Sequence, residues 1–224
     1  PAVLVIGGEM PRRSVVETLP HDPFVIAVDS GYRHARALGL GVDVLVGDLD
    51  SITKDDLEHA RVNVPILHTA PNDKDQTDTE LALQYACTHG FTEITLLWGS
   101  GDRIDHVLGV LAALSHQSLS SVQNLVAWIG TDRVEVMHGP RSYDDKVTTG
   151  STVSLMPLGT SVDGVTTHGL QWNLHHEVLT SQSARGVSNI AQEATISVTI
   201  ETGVLAIVYP GFLTQPQIKG ETDS

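Results

Sequence analysis

Cysteine is almost missing from this 224-residue chain, and the single Cys87 cannot form an internal disulfide. It falls in a helix-like run and reads as a buried thiol. Basic residues are scarce as well: 13 Lys plus Arg stand against 27 Asp plus Glu, giving a net charge of −14 and a pI near 5.0. With no basic surplus to neutralise phosphates, the chain is not built as a nucleic-acid binder, nor to dock on anionic membrane. No apolar run reaches the length of a membrane span. The opening Pro1-Ala-Val-Leu-Val-Ile6 lacks the charged start of a signal peptide and reads as a first strand. A cytoplasmic protein is expected.

What remains is ordinary globular material, 41% hydrophobic and 18% charged, enough for one large or two small domains. The acid is unevenly placed: 11 aspartates fall between Asp29 and Asp105, both included.

Two rhythms divide the chain. Up to about residue 130, β-branched apolar runs (Val3–Ile6, Phe24–Val28, Val44–Val46, Val64–Leu67, Ile94–Trp98, Leu125–Ile129) alternate with amphipathic stretches. Those stretches, Tyr32–Leu38, Lys54–Arg61, Thr79–Thr88 and Ile104–Ser115, read as helices. Strands separated by helices predict an α/β domain with a mainly parallel sheet over residues 1–130. From residue 131 to 224, short runs (Val134–Met137, Thr152–Leu155, Ile196–Ile200, Val204–Tyr209) lie between Gly- and Pro-rich turns, with no helical period. This half predicts a β-sandwich, with Asp144–Gly150 as a loop and a polar tail from Thr214.

Several runs in the first half end in Gly or Asp, where open α/β sheets bind ligands. Gly47-Asp48-Leu49-Asp50-Ser51 sets two carboxylates at i and i+2, on one side of an extended chain. Such a pair repels unless it shares a proton or a cation, and hard oxygen ligands suit Mg²⁺; a solvated turn before a helix cap is the bland alternative. In Asp73-Lys74-Asp75-Gln76-Thr77-Asp78-Thr79-Glu80, a capping box and dipole-opposing acids account for Thr77, Asp78 and Glu80. They do not account for Asp73 and Asp75 around Lys74, which a metal–phosphate site would use. Gly99-Ser100-Gly101-Asp102-Arg103-Ile104-Asp105-His106 opens the next helix, and its glycines would let N–H groups approach phosphate. Arg103 could clamp a phosphate or simply pair with Asp105. The turn is neither a P-loop nor the dinucleotide fingerprint. His175-His176 point opposite ways in a strand and have no companion ligands, so they predict no zinc site. No Gly-x-Ser-x-Gly elbow supports a serine hydrolase.

Taken in order, these motifs resemble the thiamine pyrophosphokinase family. The resemblance runs from Val28-Asp29-Ser30-Gly31 through Gly47–Ser51, Asp73–Glu80 and Gly99–His106. It continues with Leu155-Met-Pro-Leu-Gly159, Gly164-Val-Thr-Thr-His-Gly-Leu170 and Arg185-Gly-Val-Ser-Asn189. It implies a Rossmann-like α/β domain followed by a β-sandwich domain that contributes to thiamine binding and dimerisation. The implied activity is transfer of the pyrophosphoryl group of ATP to the hydroxyethyl oxygen of thiamine, with release of AMP. By the same resemblance, Asp48, Asp50 and Asp78 hold Mg²⁺, and Asp29, Gly31, Lys74, Asp75 and Thr77 complete the ATP and phosphate site. Arg103 and Asp105 line the nucleotide, Asp75, Asp78, Arg103 and Asp105 serve catalysis, and Ser188 and Asn189 contact the thiamine pyrimidine. A homodimer with active sites at the subunit interface is implied too.

This chain departs from the family in having Ser30 where Asp-Gly-Gly is usual, Asp102 where Gly-Gly-Arg is usual, and Trp172-Asn173-Leu174 as its aromatic-polar-Leu motif. Two alternatives stay open on the same residues: a pyrophosphokinase acting on a pterin alcohol, and a nucleotide- or thiamine-binding module without catalysis. The acid excess suits the main reading, since acids that recruit Mg²⁺ can host ATP and thiamine is itself a cation.

Overall fold

The computed structural model describes residues 1–69, 75–101 and 103–214. The chain divides into two compact units, Pro1–Gly130 and Thr131–Ser224.

In the first unit, strands β1 (Ala2–Val5), β2 (Phe24–Val28), β3 (Val44–Gly47), β4 (Ile66–Thr69), β5 (Glu93–Trp98) and β6 (Asn124–Ile129) stand in the order β4-β3-β2-β1-β5-β6. Every pair is parallel, with Leu4 opposite Ile26 on one side and Leu96 on the other. Central strands of a parallel sheet are covered on both faces, which is why β1 and β3 read as unbroken apolar runs and are fully buried. Edge strand β4 is exposed throughout and starts two residues later than its apolar run suggests, because Val64 closes the preceding helix.

Helices α1 (Gly31–Leu38), α2 (Lys54–Asn63), α3 (Asp78–Thr88) and α4 (Ile104–Leu114) follow β2, β3, β4 and β5. Tyr32, Ala60 and Val64 pack with Ala27 and Leu45 into one core cluster. Helix α3 buries Ala82, Leu83, Tyr85 and Ala86 and packs on β1, β2 and β3. Cys87 is half-buried in α3, and burial pushes its thiol above the usual range. No helix among the described residues is long and apolar enough to cross a membrane.

The second unit carries two antiparallel layers. One is β12-β9-β14-β7, built from β7 (Asp132–His138), β9 (Thr152–Pro157), β12 (Asn189–Ile190) and β14 (Val204–Tyr209). The other is β11-β10-β13-β8, from β8 (Arg141–Lys146), β10 (Ser161–His168), β11 (Glu177–Thr180) and β13 (Thr195–Ile200). Val153, Leu155, Leu205 and Ile207 of the first layer share a core with Val162, Ile196, Val198 and Ile200 of the second. This is a sandwich, and the fold is an α/β domain followed by a β domain.

The sequence predicts a loop over Asp144–Gly150, yet Asp144–Lys146 belong to β8. Its side chains alternate half-buried and exposed, and Asp145 faces inward because it pairs with Arg133. An inward carboxylate hides the strand from an apolar count.

Candidate active site

Asp29 follows β2 directly, Asp48 follows β3, and Asp78 opens α3. One carboxylate oxygen from each lies within 4.8 Å of the other two. Local geometry builds this trio. Asp29 has a left-handed backbone, φ +46°, and its N–H donates to the Val46 carbonyl at 3.0 Å. Its Oδ1 accepts the N–H of Leu49 at 3.0 Å, which fixes the turn that carries Asp48. Leu49 is itself left-handed at φ +64°, an unfavourable conformation held by these contacts. Gly47 makes the approach possible: at φ +146°, a Cβ there would stand 2.0 Å from Asp29 Oδ1.

Electrostatics follow from the crowding. Burial raises the Asp29 carboxyl to about 7, helped by the hydrogen bond and charge of Asp78 and the charge of Asp48, and opposed by the Leu49 N–H. Three hard oxygen donors whose charges repel fit a divalent cation such as Mg²⁺.

A cleft of about 460 Å³ opens beside the trio, at the carboxyl ends of β1, β2 and β5. The chain runs outward from β1 in opposite directions through β2 and β5, which makes this the topological switch point where α/β sheets bind ligands. Gly7, Ser30, Thr77, Trp98 and His106 are among the residues on its wall.

The remaining sequence-predicted residues are distributed unevenly. Thr77 caps α3, its Oγ1 accepting the Glu80 N–H at 3.2 Å while Glu80 Oε2 accepts the Thr77 N–H at 2.7 Å. This capping box aims the first turn, and Asp78 with it. Asp50 is exposed and stands outside the trio; its N–H donates to Asp48 Oδ1 at 3.1 Å. Asp29 is the third carboxylate of the trio, beside Asp48 and Asp78. Asp75 is exposed and does not line the cleft. Gly31 begins α1, where a Cβ would meet the Val5 carbonyl oxygen at 2.1 Å, so it serves the close approach of α1 to β1. Arg103 grips Asp105 with two hydrogen bonds, Nε to Oδ1 at 3.2 Å and Nη2 to Oδ2 at 2.5 Å. That grip holds the Asp105 carboxyl below its usual range. Asp105 lines the cleft and Arg103 does not. Asp73, Lys74 and Asp102 lie outside the described residues.

In the second unit a groove of about 740 Å³ is lined by Trp172, His175, Arg185, Val187 and Asn189, with others. Ser188 sits beside it, exposed and left-handed at φ +60°, its N–H donating to Ser154 Oγ at 2.9 Å. Ser154 was legible only as part of a strand; its serine in an apolar run was the available signal. Arg185 is paired with Glu177.

Two family descriptions match this chain. "Thiamin pyrophosphokinase, catalytic domain" covers residues 15–126, and "Thiamin pyrophosphokinase, vitamin B1 binding domain" covers residues 140–205. The chain belongs to the thiamin pyrophosphokinase family. Among its relatives, the thiamine pyrophosphokinase of Bacillus subtilis (strain 168) is 25% identical over 194 residues, spanning 80% of this chain and 90% of that protein. Thiamine pyrophosphokinase 1 of Oryza sativa subsp. japonica is 25% identical over 170 residues, 73% of this chain and 64% of the rice protein. The crystal structure of thiamine pyrophosphokinase from Bacillus subtilis matches with a TM-score of 0.78 at 22% identity, covering 93% of this chain and 97% of that one. Thiamin pyrophosphokinase from Candida albicans matches at 0.75 and 13% identity, covering 93% and 88%. At such identities the structural likeness speaks for the family's fold, and the sequence matches carry the membership. Members of the family are transferases, and the trio falls inside the stretch matched as catalytic.

Proposed function

We propose that this chain is a thiamine pyrophosphokinase, using ATP as co-substrate to convert thiamine to thiamine diphosphate with release of AMP. The observation that carries the reading is the pairing of a catalytic-domain match with a vitamin B1 binding match in one chain, the first enclosing three clustered carboxylates.

In this reading the hydroxyethyl oxygen of thiamine attacks the β-phosphorus of ATP. The new O–P bond forms as the bond from that phosphorus to the α,β-bridging oxygen breaks, and AMP leaves with the electron pair. The alcohol proton passes to a carboxylate, for which Asp75 and Asp29 are the candidates. Asp29, Asp48 and Asp78 would hold Mg²⁺, with Asp50 beside them. Bound there, the ion would neutralise phosphate charge as it develops. Positioning and charge neutralisation, rather than covalent chemistry by the protein, supply the rate. Gly31, Lys74, Thr77, Arg103 and Asp105 complete the ATP site, and Ser188 and Asn189 belong to the thiamine side. We assign the chain to the cytoplasm as a homodimer with active sites at the subunit interface, residues 1–130 binding nucleotide and metal and residues 131–224 serving thiamine binding and dimerisation.

The test is turnover. Incubated with Mg²⁺, ATP and thiamine, the purified protein is expected to release AMP and thiamine diphosphate one for one. A pterin alcohol offered in parallel should yield no AMP. Binding of ATP and thiamine without AMP release would replace the enzyme with a binding module.

A further inference from the structure

Asn189, on the wall of the groove in the second unit, is only 3% exposed, and its side-chain amide is bonded on both its oxygen and its nitrogen. Oδ1 accepts the N–H of Trp172 at 3.1 Å and that of Ile190 at 2.9 Å, while Nδ2 donates to the Trp172 carbonyl at 2.9 Å. These bonds continue a ladder. The Gln171 N–H donates to the Ile190 carbonyl at 2.8 Å, and Leu170 bridges Ala191 in antiparallel fashion. Where that backbone pairing ends, the Asn189 amide supplies both bonds of the next rung. The other side of the Trp172 turn is held separately, by Asn173 Oδ1 accepting the Leu170 N–H at 3.1 Å and Thr167 Oγ1 accepting the Leu174 N–H at 2.9 Å.

A turn fixed from both sides presents its side chain in one place. Trp172 is 57% exposed, an unusual position for a large aromatic ring, and lines the groove. We infer that Asn189 is a positioning residue: it clamps the main chain of Trp172 so that the indole stays on the groove rim. A planar cationic heteroaromatic ring is what an exposed indole face would hold. Ser154 plays the corresponding part for Ser188, whose strained backbone it anchors through the N–H. The inference deepens the reading of this groove as the thiamine side and rests on it.

The tryptophans give a readout independent of turnover. Trp98 and Trp128 are 3% and 5% exposed, so the acrylamide-quenchable emission belongs to Trp172, and Trp172→Phe should remove it. In Asn189→Ala, the anisotropy of that emission should fall and the KM for thiamine rise about tenfold, with kcat and the KM for ATP within about twofold. On a Trp172→Ala background the same substitution should add less than about twofold to the thiamine KM, since the clamp then has nothing to position. If Asn189→Ala does not fold, Asn189→Asp keeps the shape and the acceptor, replaces the donor to the Trp172 carbonyl with a carboxyl oxygen that brings an ionisable group, and is expected to shift both readouts in the same direction. Unchanged anisotropy in a folded variant, or a full tenfold effect on the Trp172→Ala background, would overturn the inference. Absence of thiamine turnover in the unaltered protein would instead remove the proposed function, and the anisotropy comparison would still decide whether Asn189 fixes Trp172.

Discussion

Asp29 has a backbone conformation that few non-glycine residues adopt, with aspartate among the more tolerant. Its carboxylate ties the turn after β3 to the end of β2 and joins Asp48 and Asp78. Asp29→Asn should therefore lose about as much ATP turnover as Asp48→Asn or Asp78→Asn, on the order of 10²–10³ in kcat/KM. Asp50→Asn should lose less; initial rates across an Mg²⁺ titration would rank the four. Gly47 is constrained by the same carboxylate. Gly47→Ala should destabilise by about 2–4 kcal/mol, since an added methyl meets Asp29 Oδ1 in backbone that favours glycine. Urea unfolding would measure it, and Mg²⁺ affinity should fall together with stability because the trio is displaced.

At the scale of elements, α3 owes its entry angle to the capping box, and Asp78 sits one residue inside it. Thr77→Ala should cost about 1 kcal/mol in unfolding free energy and lower activity through misplacement of Asp78. Strand β7 carries the buried charge. Arg133 pairs with Asp145 and, at 3.4 Å, with Glu135, and its guanidinium lies 4.3 Å and 4.4 Å from the ring centres of Tyr209 and Phe212. Burial raises Glu135 from an ordinary 4.5 to about 7, the Arg133 charge opposing and the Asp145 charge adding. A carboxyl with a raised folded pKa stabilises fully below its unfolded value and loses that contribution as pH rises through the folded one. Stability should thus fall between about pH 4.5 and pH 7, by on the order of 3 kcal/mol from this group. Denaturant midpoints at pH 5 and pH 8 should differ more in the unaltered protein than in Glu135→Gln.

Across the whole molecule, legibility in the sequence follows burial and range. Strands β1, β2, β3, β5 and β6 were readable because their residues are largely apolar and buried. The capping box was readable because both of its partners lie within four residues. Strand β8 was not, since its Asp145 is stabilised by Arg133 on another strand and its ladder runs to β13, with Tyr143 opposite Val198. The two-residue β12 was equally hidden, as its pairing is with Val153 and Thr152 on β9.

The amino-acid sequence by itself determined the α/β-then-β order, the acid-rich strand ends and the motif series of a pyrophosphokinase, because these depend on local periodicity and spacing. Only the tertiary structure decided that Asp29 joins Asp48 and Asp78 in one carboxylate trio, and that the Asn189 amide is bonded to the Trp172 main chain. Both outcomes depend on contacts between segments distant in the chain: the parallel register of β2 and β3 that brings Gly47 against Asp29, and the pairing of the Trp172 turn with the strand after Asn189. Such contacts form through long-range hydrogen bonding and packing, which residue spacing does not encode.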